Sequence, residues 1–191
     1  FTLRQNVTFH DGTAFNADSV IKNFNDITGR TALGAYATGG LAAYAKVGYT
    51  VGTGSTFSAN IAKITKVSDY VVKFDLDRAQ NDFPGTLFAS GRFIMRAPSQ
   101  TATADSCVNT LVGTGPFKTA SGFSLATNGQ TSLKLVKNPN YWRKAANGDS
   151  LPYLDSIEFT TVKDASQRAA AVRKGTVDAA QFASAGDATF I

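Results

Sequence analysis

Apolar and polar residues follow one another along most of this chain at spacings that name its elements. Phe1 and Leu3, then Val7 and Phe9, stand at every second position, which predicts extended segments over residues 1–4 and 7–9. Asp11-Gly12 supplies turn chemistry directly after them. Asn16 is placed to cap a helix over residues 17–24, with Val20, Ile21 and Phe24 on one face. Asp18 falls in its first turn, where the helix dipole favours a carboxylate. Residues 61–67 and 70–76 alternate, are rich in β-branched side chains and meet at Ser68-Asp69, the pattern of a β-hairpin. Asp82-Phe83-Pro84 opens a short helix through Leu87 and Phe88, since proline is tolerated in a first turn. Phe93, Ile94 and Met95 predict a short strand. Residues 117–123 and 132–136 predict two strands flanking a Gly-rich connection.

The last third obeys the same logic. Asn138-Pro139-Asn140-Tyr141-Trp142 predicts a turn with a large aromatic anchor, Trp142 mostly buried. Residues 157–162 predict a strand and Asp164 caps a helix over residues 165–174. Gly175 ends that helix and residues 177–182 return as a strand. Ala165, Ala169, Ala170 and Val172 form a face suited to a sheet, while Gln167, Arg168, Arg173 and Lys174 are expected in water. Residues 29–58, rich in Gly, Ala, Thr and Tyr, read as a loop-rich excursion with a short helix near residues 41–45. This mixture of elements defines the class as mixed α/β (α+β).

Composition narrows the picture. The chain has 191 residues, 43% hydrophobic and 17% charged, the balance of a globular protein with a core. The net charge of +5 is scattered, with no dense Lys/Arg stripe to track a phosphate backbone, so no nucleic acid is expected. No apolar run approaches the length of a membrane span. Residue 1 already lies in strand pattern and residues 188–191 stop without punctuation. We therefore expect a piece of a longer polypeptide, with any signal segment or lipid anchor outside it. The one cysteine, Cys107, reads equally as a buried thiol or as a bridge to a residue beyond the piece.

Candidate chemistry centres on His10, the one histidine. A nucleophilic site would use it as base, but no Gly-x-Ser-x-Gly elbow presents a serine. One histidine and one distant cysteine do not make a metal site. In Gly113-Thr114-Gly115-Pro116-Phe117 a proline stands where a phosphate cradle needs a free N–H, and no Lys-Ser/Thr comes after it. Asp75 and Asp77 share a strand face without an acid/base partner. His10 thus reads as the shoulder of a turn, and neither enzyme activity nor a cofactor is expected. A hydrolase built on His10 with a serine or aspartate, and a structural or adhesive extracellular module, are the competing readings.

The order of the motifs says more than any one of them. "FTLRQNVTFHDGTAFNADSVIKNF", "VSDYVVKFDL", "GTGPF", "NPNYW" and "LPYLDSIEFTTVKDASQRAAAVRKGTVDAA" resemble, in sequence, the family 5 extracellular solute-binding proteins of peptide and nickel importers. The resemblance runs from Phe1 to about Ala180. It implies the first-lobe portion of a two-lobed, periplasmic-binding-protein type II-like fold. On that reading residues 1–97 are an accessory subdomain of the first lobe and residues 98–191 part of its main subdomain, with the second lobe absent. The implied function is capture of a small solute (an oligopeptide, nickel chelate or sugar) outside the cytoplasmic membrane, for delivery to the permease subunits of an ABC importer. The location implied is periplasmic or extracellular, at the cell surface. The resemblance also implies that His10 is scaffold. Tyr36, Ser90 and Arg92 stand where some members reach the ligand, although residues 29–58 match no close family pattern.

Overall fold

The computed structural model describes residues 1–28, 60–89, 94–101, 111–120 and 132–182. The predicted helix near residues 41–45 lies outside them. The chain divides into two compact units, Phe1–Asn128 with Lys134–Ile157, and Gly129–Leu133 with Glu158–Ile191.

Helix α1, Ala17–Thr28, is capped as expected and extends past the predicted end. Ser19 N–H donates to Asn16 Oδ1 at 3.0 Å, and Asn16 N–H donates to Ser19 Oγ at 3.1 Å. This reciprocal pair satisfies donors that a helix start otherwise leaves open. The buried face carries Ala17, Val20 and Phe24. It packs on a hairpin of β1, Ile61–Ser68, and β2, Val71–Leu76, which pair antiparallel with Ile64 opposite Phe74 and Lys66 opposite Val72. The turn falls at Asp69-Tyr70, one residue later than the spacing predicts.

Helix α2, Phe83–Ala89, adds Phe83 to this core. The ring of Phe74 sits among those of Phe24, Phe1 and Phe83 at centroid distances of 4.9, 5.3 and 5.5 Å. Tilted and edge-on pairs of this kind contribute about 0.5–1.5 kcal/mol each beyond area burial. Phe1 is drawn in because its own backbone exchanges hydrogen bonds with Val72, at 2.8 and 3.0 Å. Residues 1–4 therefore pair beside β2 through a bridge at Thr2 and Val71, short of a full strand.

Three further strands, β3 (Phe117–Thr119), β4 (Ser132–Lys137) and β5 (Ser156–Thr160), form a sheet in that order, β3 and β4 antiparallel. Beyond Ala120 the predicted continuation of β3 lies outside the described residues. Helix α3, Ala165–Arg173, begins where Asp164 Oδ1 accepts from Gln167 N–H at 2.8 Å. It ends at Gly175, whose φ of +68° suits glycine. Gly175 N–H reaches Val172 O and Thr176 N–H reaches Ala171 O, the paired closure that left-handed glycine permits.

Four expectations are corrected. Ile94 and Met95 form no strand, because the backbone of Arg96 is engaged by the side-chain amide of Asn23 instead of a neighbouring ladder. Residues 177–182 form none either: no described strand offers them a ladder partner. Trp142 is only partly buried, its face covered by the Arg4 guanidinium 4.5 Å from the ring centroid. Arg168 is partly buried as well, since its Nη1 donates to the carbonyls of Val162 and Lys163 at 2.6 and 2.9 Å.

Asn23 generates the test for this architecture. It is 1% exposed, and its Nδ2 donates to Ser19 O and Arg96 O, both at 2.8 Å, while its Oδ1 accepts from Arg96 N–H at 2.9 Å. N23A removes three hydrogen bonds to the backbone of Ser19 and Arg96, each contributing about 0.5–1.5 kcal/mol. A urea titration should show a lower midpoint with an unchanged slope. A midpoint equal to wild type would mean that the amide bridge is not what positions residue 96.

Candidate functional site

The turn after Phe9 is closed by Phe9 N–H on Thr13 O at 2.8 Å and Gly12 N–H on Phe9 O at 2.9 Å, with Gly12 at a φ of +86°. It aims His10 at the Gly-rich loop about a hundred residues later. His10 N–H donates to Gly113 O at 2.9 Å. Gly113 N–H in turn donates to His10 Nδ1 at 3.3 Å, and His10 Nε2 lies 3.0 Å from Gly115 O. These partners place the ring proton on Nε2. Gly115 O also accepts from Asn138 Nδ2 at 2.9 Å, and Asn138 N–H donates to Pro116 O at 2.8 Å. Both imidazole nitrogens are thus committed to backbone groups, and among the described residues neither has a serine hydroxyl as a hydrogen-bond partner. The geometry is that of a latch.

Beside it, Asp11 is tied on both oxygens. Oδ1 accepts from Thr13 N–H at 3.0 Å and Thr13 Oγ1 at 2.6 Å, and Oδ2 accepts from Ser99 Oγ at 2.8 Å. Burial pushes this carboxyl up, but the hydrogen bonds from Thr13 and Ser99 outweigh it and hold the group below its ordinary value of 3.8. Elsewhere Lys66 is pushed up to about 12 by hydrogen bonds to Asp18 and Asp69, and the Ser166 hydroxyl and Gln167 N–H hold Asp164 low.

Tyr36, Ser90 and Arg92, the three candidate ligand contacts, lie outside the described residues, as does Cys107. The described flanks of the second and third candidates are the end of α2 and Ile94. Phe88, on the last turn of α2, is 94% exposed, and Ile94 is 66% exposed, so two large apolar side chains border that segment. Among the described residues no group of three or more His, Cys, Asp or Glu could hold a metal ion. No described helix is long and apolar enough to cross a membrane.

Sequence reasoning overlooked the buried amides. Asn23, Asn60, Gln100 and Asn138 are 1–6% exposed. Asn60 joins the two ends of the hairpin, donating to Arg78 O and Gln80 Oε1 and accepting from Arg78 N–H. A signal existed for Asn23: asparagine is a poor helix former, and here it occupies the same face as Val20 and Phe24.

Comparison with known proteins defines the class. Among solved structures the chain is similar to the ABC transporter-associated periplasmic binding protein DppA from Helicobacter pylori, solved with the peptide STSA. That match has a TM-score of 0.63 and 26% identity over 93% of this chain and 33% of that one. It is similar in fold to the dipeptide-binding protein from Pseudoalteromonas sp. SM9913 in complex with Met-Leu (TM-score 0.66, 22% identity, 93% of this chain, 34% of that one). The fold also resembles that of a nickel ABC transporter protein from Bacillus halodurans (TM-score 0.58, 22% identity, 92% and 29%). The chain thus spans about a third of the length of these proteins, and its fold is a first-lobe portion of the two-lobed periplasmic binding proteins. No curated protein sequence matches it. The family model described as bacterial extracellular solute-binding proteins, family 5 Middle, matches residues 1–191, and the chain belongs to that family.

Two measurements check the latch. H10A leaves Gly113 N–H without a partner and removes one of two donors from Gly115 O. It should lower the unfolding free energy by about 1–3 kcal/mol. H10A with wild-type stability would show that the ring is dispensable to the loop. Asp11 is tested through its response to acid. A carboxyl held low in the folded state stabilises it fully above the ordinary value near 3.8 and ceases to do so as pH falls through the folded value. Thermal unfolding from neutral pH downwards should therefore fall less steeply below about pH 4 for D11N than for wild type.

Proposed function

We propose that this chain forms part of the solute-binding component of an ABC-type importer. In this reading it captures a peptide outside the cytoplasmic membrane and hands it to the permease subunits. The observation that carries the reading is the family match along residues 1–191, supported by a peptide-bound relative at 26% identity. A nickel chelate is the less favoured solute: the nickel-transporter likeness is one of fold, and the single histidine is held by the loop backbone. A sugar has no observation in its favour.

Residues 1–97 are assigned to an accessory subdomain of the first lobe and residues 98–191 to part of its main subdomain. Tyr36, Ser90 and Arg92 are assigned as first-lobe contacts to the solute, with Phe88 and Ile94 as the apolar border of the latter two. The role is binding without catalysis. Two lobes on a hinge exchange between open and closed states, and a solute that touches both lobes favours closure. Closure dehydrates the solute and shapes the surface that the permease reads. Attachment at the cell surface would come through a signal or lipid anchor elsewhere in the polypeptide.

A single lobe offers only part of such a site, so the polypeptide of residues 1–191 should bind peptide much more weakly than the full-length protein. Each 1.4 kcal/mol of lost contact is about tenfold in the dissociation constant. Calorimetry with one peptide library on both forms of the polypeptide decides it. Peptides should raise the melting temperature of the full-length protein, and R92A should reduce the shift. Equal submicromolar affinity in both would place the whole site within residues 1–191. A shift only with nickel chelates or sugars would replace the proposed solute, and none with any of them would favour a structural module.

A further inference from the structure

Residues 144–150 form a small exposed hairpin that the binding function does not use. Lys144 pairs with Ser150, Ala145 N–H donates to Asp149 O at 3.0 Å, and Gly148 N–H closes the turn on Ala145 O at 2.9 Å. Gly148 has a φ of +90°, the left-handed geometry that ends a turn of this length. Inside the turn Asn147 Oδ1 accepts from Asp149 N–H at 3.1 Å, and Asn147 Nδ2 donates to Asp149 Oδ2 at 2.7 Å. The first of these folds the side chain of Asn147 back across the Gly148 peptide. A Cβ built at Gly148 would meet nothing within 4 Å, so that side of the peptide is open.

We propose that Asn147 is a site of spontaneous deamidation, and that the reaction unlatches this turn. The Gly148 backbone nitrogen gives up its proton and attacks Asn147 Cγ. A bond from that nitrogen to Cγ forms in a five-membered succinimide, and the Cγ–Nδ2 bond breaks, releasing ammonia that carries the proton away. Water then opens the ring at either carbonyl, leaving aspartate or, with the backbone rerouted through the side group, isoaspartate. No oxidant or reductant is involved. The restraint on the attacking nitrogen is its hydrogen bond to Ala145 O in an exposed turn, the kind of bond that opens locally without global unfolding. The product reverses the electrostatics of the turn. Where an amide N–H met a carboxylate at 2.7 Å, two carboxylates now face each other, and like charges at such a distance repel.

Tryptic mapping of the full-length protein, aged in mildly alkaline buffer at physiological temperature, tests the chemistry. The peptide of residues 145–163 is separate from that of residues 119–134, which carries the other Asn-Gly pair, Asn128-Gly129. Residues 145–163 should gain the mass difference between amide and acid, with an isoaspartyl fraction, and N147Q should abolish the gain. N147D should melt lower than wild type, and N147D/D149N should recover most of the loss because a neutral partner again faces the carboxylate. If the peptide keeps its amide in the folded protein while a synthetic copy converts, the native turn is protective and the site is wrong. If the double variant melts no higher than N147D, the repulsion proposed here is not what the product introduces.

Discussion

The carbonyl of Gly115 accepts two side-chain hydrogen bonds, one from His10 Nε2 and one from Asn138 Nδ2, and the first unit is organised about that point. The loop of residues 113–116 leads into β3 and is only partly exposed. Its polar groups must be paired, since an orphaned backbone group away from water costs as much as a lost hydrogen bond. The turn after Phe9 and the turn before Tyr141 supply the partners, the first from about a hundred residues earlier. The turn after Phe9 is thereby fixed to a loop about a hundred residues later, while Asn138 continues the pairing of Phe117 with Lys137 between β3 and β4.

The same device recurs wherever regular elements are short. Asn23 holds residue 96 to α1, Asn60 closes the ends of the β1–β2 hairpin, and Gln100 Oε1 accepts from Val112 N–H at 3.2 Å. The apolar core of Ala17, Val20, Phe24, Ile61, Val72 and Phe83 provides cohesion, but apolar burial is not directional. The amides decide which backbone stretch lies where. By contrast, the exposed ion pairs of Lys66 with Asp18 and Asp69, at 2.7 and 2.8 Å, join α1 to the hairpin turn in solvent, where such pairs contribute little.

This division of labour suits the solute-binding role proposed above, in which lobes would move as bodies. A side chain offered to a solute is useful only if the segment carrying it is held by its neighbours. The start of α2 is seated in the core by Phe83, and residue 96 is held on the Asn23 bridge. Phe88 and Ile94, by contrast, are exposed.

Local chemistry was legible in the sequence. Asn16, Asp164 and Gly175 act as caps where their types and positions said they would, because capping is settled within four or five residues. The hairpin over residues 61–76 and the mixed α/β class emerged from periodicity alone, and the order of five motifs pointed to the family without any geometry. Partnership between distant segments was not legible. Nothing near His10 says that its ring meets Gly113 and Gly115, or that Asn23 takes the hydrogen bonds that a strand at Ile94 and Met95 would have extended. Residues 177–182 have strand composition but no strand, and Trp142 has core composition but lies half under Arg4. A strand exists only where another backbone receives it, and burial only where something covers the ring. Those conditions are set by the tertiary structure, since they belong to pairs of residues and not to either residue alone.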